Sequence, residues 1–183
     1  LGAEATFVAR TIDSDRKHLT GVLRAAAAHR GTSLVEIYQN CPIFNDGAFE
    51  AFKDNVAKDS AIIPLTHGEP VRFGSTGQYG VLRDEATGAF TVTDVATDDD
   101  TPGVDPSTLH VHDAHTDDPS AAFGLSRLTP GGHLDRAPIG IFRQVERPTY
   151  DDLARNQIHT AQQTHGTGDL NALLNSGDTW HVA

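Results

Sequence analysis

The alternation of apolar and polar positions divides the opening of the chain into a strand, a helix and a second strand. Ala5 to Arg10 (ATFVAR) reads as the first strand. Asp13, Ser14 and Asp15 follow, supplying cap-type oxygens and negative charge where a helix begins. From Asp15 to His29, Leu19, Val22, Leu23 and Ala26 recur at helical spacing, while Lys17, Thr20 and Arg24 fall on the opposite face. His29 and Arg30 suit the negative carboxyl end of that helix, and Gly31 suits the position past it. Leu34, Val35, Ile37 and Tyr38 then form a short apolar run rich in β-branched and aromatic side chains, the pattern of a buried strand. Gln39, Asn40 and Cys41 carry it to Pro42, which has no N–H for a sheet ladder. Residues 5–38 are therefore predicted to form one βαβ unit, its strands parallel and its crossover right-handed. A pair of strands is not a stable sheet, so the remaining strands are expected in sequence outside this chain or in a partner.

Beyond Pro42, Ile43, Phe44, Phe49 and Phe52 are expected to serve as apolar anchors, interrupted by a turn at Asn45-Asp46-Gly47. Ala48 to Lys58 is predicted as a short amphipathic helix or an ordered arm. Ala61 to Leu65 and Val71 to Phe73 read as short strands, and Tyr79 to Arg83 with Ala89 to Asp94 as a hairpin. Thr97 to Pro106 is a solvated acidic loop, and Leu109 to Asp113 another short strand. Pro119 to Leu128 is predicted as a short helix with Asp118 as its cap, and Ile139 to Val145 as the last strand. Thr149 caps a helix running to His165, with Asp151 and Asp152 in its first turn. Asp169 to Leu174 adds a further helical turn, and Trp180 sits in a tail expected to dock. No internal repeat is present.

Composition changes this picture little: 38% hydrophobic and 21% charged residues are ordinary for a globular chain. The net charge of −11, from 14 Lys+Arg against 25 Asp+Glu, opposes phosphate backbones and anionic lipid. Neither nucleic acid nor a membrane is therefore expected as a partner. No apolar run has the length of a membrane-crossing helix. A single cysteine cannot form an internal disulfide, which points to a reducing, cytoplasmic compartment. A chain of 183 residues that contains no methionine and opens on Leu-Gly reads as a fragment.

Cys41, that single cysteine, stands at the carboxyl end of a predicted sheet strand, the edge where open α/β folds set their ligands. Alone, it reads as a buried inert thiol, a nucleophile or a metal ligand; no adjacent base favours the nucleophile. His110 and His112 would share one strand face, with Asp113 and His115 nearby, as zinc ligands do. The same pattern occurs on solvated strand ends, and the acids around it favour that reading. Arg72, Arg127, Arg143 and Arg147 could contact phosphates, though ordinary surface pairing explains them more simply. Gly74-Ser75-Thr76-Gly77 lacks the Lys-Ser/Thr of a phosphate-binding loop, and no Ser-His-Asp or GxGxxG motif occurs.

The string VEIYQNCPIFNDGAFE, with ATFVART and DRKH upstream, resembles the β subunit of 2-oxoacid:ferredoxin oxidoreductases, especially the 2-oxoglutarate type. GEPVRFG, DDPSAAFGLSRL, PIGIFRQVERPTYDDL and LNSGDTW continue the resemblance in order, so it covers nearly the whole chain. It corresponds to the carboxyl-terminal portion of that subunit. The implied fold is α/β: residues 1–41 as the last βαβ unit of a thiamine diphosphate-binding domain, and 42–183 as a small mixed α+β extension. The implied activity of the whole complex is oxidative decarboxylation of a 2-oxoacid to its acyl-CoA, with electrons passing through a [4Fe–4S] cluster to ferredoxin. Thiamine diphosphate, Mg²⁺ and the cluster are the implied cofactors. The α subunit, ferredoxin, the 2-oxoacid and coenzyme A are the implied partners. In such subunits four cysteines hold the cluster, and Cys41 occupies the position of one of them. Gln39 and Asn40 beside it would bond cluster sulfurs or cap the strand, and Asn45-Asp46-Gly47 is a turn that could shape the surface near the cofactor. The Gly-Asp-Gly of the family's diphosphate site is missing: Gly168-Asp169 is followed by Leu170, and Gly177-Asp178 by Thr179. The isolated fragment is therefore expected to be inactive. The competing expectation is a non-catalytic interaction or assembly domain derived from the same subunit.

Overall fold

In the computed structural model, which describes residues 1–54, 56–98, 100–129, 135–178, 180 and 182, the βαβ unit is formed as expected. It comprises β1 (Phe7–Ile12), α1 (Arg16–Ala28) and β2 (Ser33–Tyr38). Asp15 caps α1 by accepting the His18 backbone N–H at 2.9 Å. β1 and β2 are parallel, in register from Phe7 opposite Ser33 to Ile12 opposite Tyr38. The apolar stripe of α1 sets Val22 onto Phe7 and Ala9, so the helix covers one face of this strand pair.

The strands expected from outside are supplied by the chain itself, which corrects the sequence reading. β3 (Ile62–Leu65) and β7 (Ala137–Gln144) complete a four-stranded sheet of order β2-β1-β7-β3. β7 lies antiparallel to β1, and β3 runs parallel to β7. A second, antiparallel sheet has the order β4 (Arg72–Phe73), β5 (Tyr79–Arg83), β6 (Phe90–Asp94). Asp84 closes the β5–β6 hairpin by accepting the N–H groups of Ala86 and Thr87. Ile63, Phe73, Val81, Phe142 and Leu125 form one core, which joins the two sheets and α3 (Ser120–Ser126). The architecture is α/β with a mixed main sheet.

The chain divides into two compact units, Leu1–Arg147 and Pro148–Ala183, a division distinct from the 41/42 boundary drawn from sequence. In the second unit, α4 (Tyr150–His165) begins at a capping box between Thr149 and Asp152, and α5 (Leu170–Leu174) is capped by Asp169. Neither helix contains a buried residue, and Leu153, Ile158, Leu173 and Trp180 are exposed.

Three local expectations change. Ala48 to Lys58 holds only a 3₁₀ turn over Glu50–Phe52, and α2 begins at Lys58 and ends at Ala61. Asp54 accepts the N–H groups of Val56 and Ala57, a turn that competes with a continuous helix. Leu109 to Asp113 is tied to its neighbours by an isolated bridge between Val111 and Pro70 rather than by a strand ladder. β2 is an edge strand, with Leu34 52% and Ile37 42% exposed, so it is not the buried strand its composition suggests. Asn55 in the 48–58 span, Asp99 in the acidic loop and Thr179 after Gly177-Asp178 lie outside the described residues.

Candidate functional site

Cys41 stands three residues past the end of β2, on the edge of the main sheet. The chain turns back there: Asn45 donates its backbone N–H to the Cys41 carbonyl at 2.9 Å. Asn40 locks this turn from the side. Its Nδ2 donates to Asp46 Oδ1 at 3.0 Å, and its Oδ1 accepts the Gly47 N–H at 3.0 Å. Further on, Phe49 and Phe52 pack under the turn. Phe49 stacks on Tyr38 with centroids 4.8 Å apart, and both phenylalanines join Ile12, Ala61 and Ala137 in a buried cluster. The two rings thus bind the outgoing chain to the end of the strand from which it departed.

Of the four expected anchors, only these two are buried. Ile43 and Phe44 are 82% and 88% exposed, because the bond between residues 45 and 41 throws the intervening positions outward. The same turn determines the electrostatics of the sulfur. The backbone amides of Phe44 and Ile43, with a lesser effect of Asn45, lower the Cys41 thiol from its usual value against an opposing effect of desolvation. Amide donors converging on sulfur favour the thiolate, the form that binds metal. The inert-thiol reading required burial in apolar surroundings; Cys41 is half-buried, and nearby backbone amides lower its thiol. Gln39, next to it, is exposed. The Asn40 amide spends its oxygen and one of its two N–H groups on the turn that carries Cys41.

The histidine group is unlike the solvated strand end favoured from sequence. His112 is 1% exposed, and its Nε2 donates to the Ile141 carbonyl at 2.8 Å. His110 packs edge-on against Phe90, with its Nε2 buried and without a hydrogen-bond partner among the described residues. Burial, with His112 and Arg83 nearby, pushes the His110 pKa down to about 4. His115 lies instead against His67, with centroids 4.1 Å apart. No three metal-ligating side chains converge among the described residues.

The arginines also separate by role. Arg143 is 1% exposed and donates through Nη1 to the carbonyls of Thr116 and Asp117, so surface pairing does not describe it. Arg147 pairs with Glu4 and Asp117, Arg72 donates to the Gly77 carbonyl, and Arg127 lies over the Phe123 ring. Sequence reasoning missed Arg10 altogether. It is buried in the main sheet, donates to Glu36 at 2.7 Å, and lies over the rings of Tyr38 and Phe142. An arginine inside an otherwise apolar strand is the signal that could have revealed it.

An α/β domain with one donor-ringed thiol at a sheet edge is compatible with a subunit of a redox enzyme, and the relatives are of that class: the chain is similar to 2-oxoacid oxidoreductase β subunits. In particular, it is 49% identical over 185 aligned residues to the 2-oxoglutarate oxidoreductase subunit KorB of Mycobacterium tuberculosis. That alignment takes in 100% of this chain and 47% of the relative, so the chain spans about half the relative's length. It is also 44% identical, over 41 residues, to the 2-oxoacid:ferredoxin oxidoreductase subunit beta of a Sulfolobus species, covering 22% of this chain and 13% of that one. A solved structure of 2-oxoglutarate:ferredoxin oxidoreductase from Magnetococcus marinus aligns with a TM-score of 0.48 at 19% identity, covering 95% of this chain and 41% of that one. No family model matches the chain. The resemblance read from sequence is borne out along the whole chain.

Proposed function

We propose that this chain is part of the β subunit of an enzyme that oxidatively decarboxylates a 2-oxoacid, 2-oxoglutarate, to its acyl-CoA. The observation that carries the reading is the 49% identity to a 2-oxoglutarate oxidoreductase subunit over the whole chain. Within it, Cys41 is one of the four thiolate ligands of a [4Fe–4S] cluster that passes electrons to ferredoxin. The converging N–H groups of Phe44, Ile43 and Asn45 support that role, since such donors stabilise sulfur carrying negative charge.

One thiol cannot hold a cluster, so the other three cysteines belong to the remaining half of the subunit. Nor does this chain fit a diphosphate site: no Gly-Asp-Gly occurs in it, and no acidic or histidine set for Mg²⁺ converges among the described residues. Thiamine diphosphate and Mg²⁺ are therefore assigned to that other half, and no step is ascribed to residues of this chain. Asn40 holds the turn that carries Cys41, and Gln39 is the freer of the two to bond a cluster sulfur. The open edge of β2, with Leu34 and Ile37 half exposed, suits cover by the rest of the subunit or by the α subunit. Among the described residues, no helix is long and apolar enough to cross a membrane. The cytoplasm is the proposed compartment.

The test is Cys41→Ser in the full-length subunit purified with its α partner. Iron content, the visible absorption of the cluster, its signal on reduction and electron delivery to ferredoxin should all fall together. Retention of full iron and undiminished electron transfer would refute the assignment.

A further inference from the structure

A cavity of about 480 Å³ opens beside the first turns of α1, bounded across from the helix by the ends of β3 and β7. That volume lies in the range of small-molecule sites. Its walls are apolar where Val22, Leu65 and Ile141 line it. Its polar lining is rich in donors. Lys17 brings an ammonium group. His18 has its Nδ1 2.8 Å from the hydroxyl of Thr11, which is fully buried. In the tautomer in which that hydroxyl donates to Nδ1, the ring proton of His18 stands on Nε2. His67 accepts the Ala114 N–H at Nδ1, 3.3 Å away, which likewise places its proton on Nε2. Asp113 lies 3.4 Å from that same Nδ1, outside the lining. The one carboxylate that lines the cavity, Asp15, is already engaged in capping α1.

Among the described lining residues a cation would meet one carboxylate, Asp15, whose Oδ1 already caps α1, while Thr66 and Gln144 can serve either sign of charge. An acid group would meet three donors, and an apolar body attached to it would remove Val22, Leu65 and Ile141 from water. We infer that this cavity binds a small organic carboxylate, its acid group on Lys17, His18 and His67 and its apolar body on the sheet side. The site is separate from the Cys41 turn and does not rest on the proposed redox role.

Gly21 provides the test. It lines the cavity, and a Cβ at this position would meet nothing within 4 Å among the described residues, so a larger side chain has room there. It lies inside α1, where leucine is a better helix former than glycine. Gly21→Leu should therefore plug the cavity while leaving thermal unfolding unchanged or raised. The probe is 4-(trifluoromethyl)benzoate, followed by ¹⁹F NMR in the presence of the full-length subunit with its partner. Saturable broadening is expected with the natural protein, its loss with Gly21→Leu, and binding about tenfold weaker with Lys17→Gln. The neutral isostere 4-(trifluoromethyl)benzamide should also bind about tenfold more weakly. Absence of saturable binding, binding that survives Gly21→Leu, or equal affinity for acid and amide would each overturn the proposal.

Discussion

Mild acid should weaken this protein across a window set by His110. The ring is partly buried, its Nε2 has no hydrogen-bond partner among the described residues, and its pKa is pushed from 6.5 down to about 4, chiefly by burial and further by His112 and Arg83. The folded state therefore keeps neutral a ring that the unfolded chain protonates. Because the folded pKa is the lower one, the unfolded state holds the extra proton between pH 6.5 and about 4. Stability accordingly falls as pH falls through that window and levels off below it. One proton changes stability by about 1.4 kcal/mol per pH unit, so the full span is ~3 kcal/mol, and partial solvent access lowers the expectation to about 2 kcal/mol. Replacing the ring with His110→Leu removes both the titrating group and the orphaned nitrogen. At neutral pH the variant should match the natural protein or exceed it by up to about 1 kcal/mol. Its advantage should then grow by about 2 kcal/mol on acidification to roughly pH 4.5. His18 and His112, whose pKa values are also lowered mainly by burial, remain in the variant, so its own acid sensitivity is reduced rather than abolished. Asp84, Asp105 and Asp118 are held below 3.8 by hydrogen bonds, and their contributions are lost only under stronger acid, outside this window. Urea unfolding of both proteins at a series of pH values makes the measurement. A stability difference constant to within about 0.5 kcal/mol from neutral pH to roughly pH 4.5 would refute the reasoning.

Two further predictions concern the frame around the sheet and the turn. Gly140 has φ +144, and a Cβ there would strike the Leu65 carbonyl oxygen of the neighbouring strand. Gly140→Ala should therefore cost about 2–4 kcal/mol in urea unfolding, and a loss under about 0.5 kcal/mol would contradict the clash. Asn40→Ala removes both side-chain bonds that brace the Cys41 turn and leaves only its backbone bond from Asn45, so the amides near the sulfur should loosen and the thiol should move up toward 9. In protein free of bound metal, alkylation of Cys41 by iodoacetamide at neutral pH should slow severalfold; an unchanged rate-against-pH curve would show that Asn40 does not position the sulfur.

The elements legible from sequence are those whose signals are local. Asp15 capping α1, Asp84 closing the β5–β6 hairpin, and Thr149 with Asp152 opening α4 each act within a few residues, and each element was expected where it occurs. What escaped is non-local. Ala137 to Gln144 reads as a strand, but nothing in its pattern says that it lies between β1 and β3 and so completes a sheet begun at Phe7. Ile43, Phe44, Phe49 and Phe52 look alike as apolar residues. A single backbone bond from residue 45 to residue 41 sorts them into two exposed and two anchored. His112 precedes an acid and reads as a solvated position, yet it alternates with its exposed neighbours Val111 and Asp113 and turns inward to the Ile141 carbonyl. The position of Cys41 at a strand end was legible, whereas the donors that tune it were not, because they belong to the backbone of a turn and carry no sequence signature. β2 shows the same limit in reverse. Its composition is that of a strand covered on both sides, and Leu34 and Ile37 remain half exposed beside an open edge. Apolar residues on both faces of an edge strand are costly in water and favourable only under cover. The composition of β2 thus fits a strand under cover better than the open edge it forms in these 183 residues.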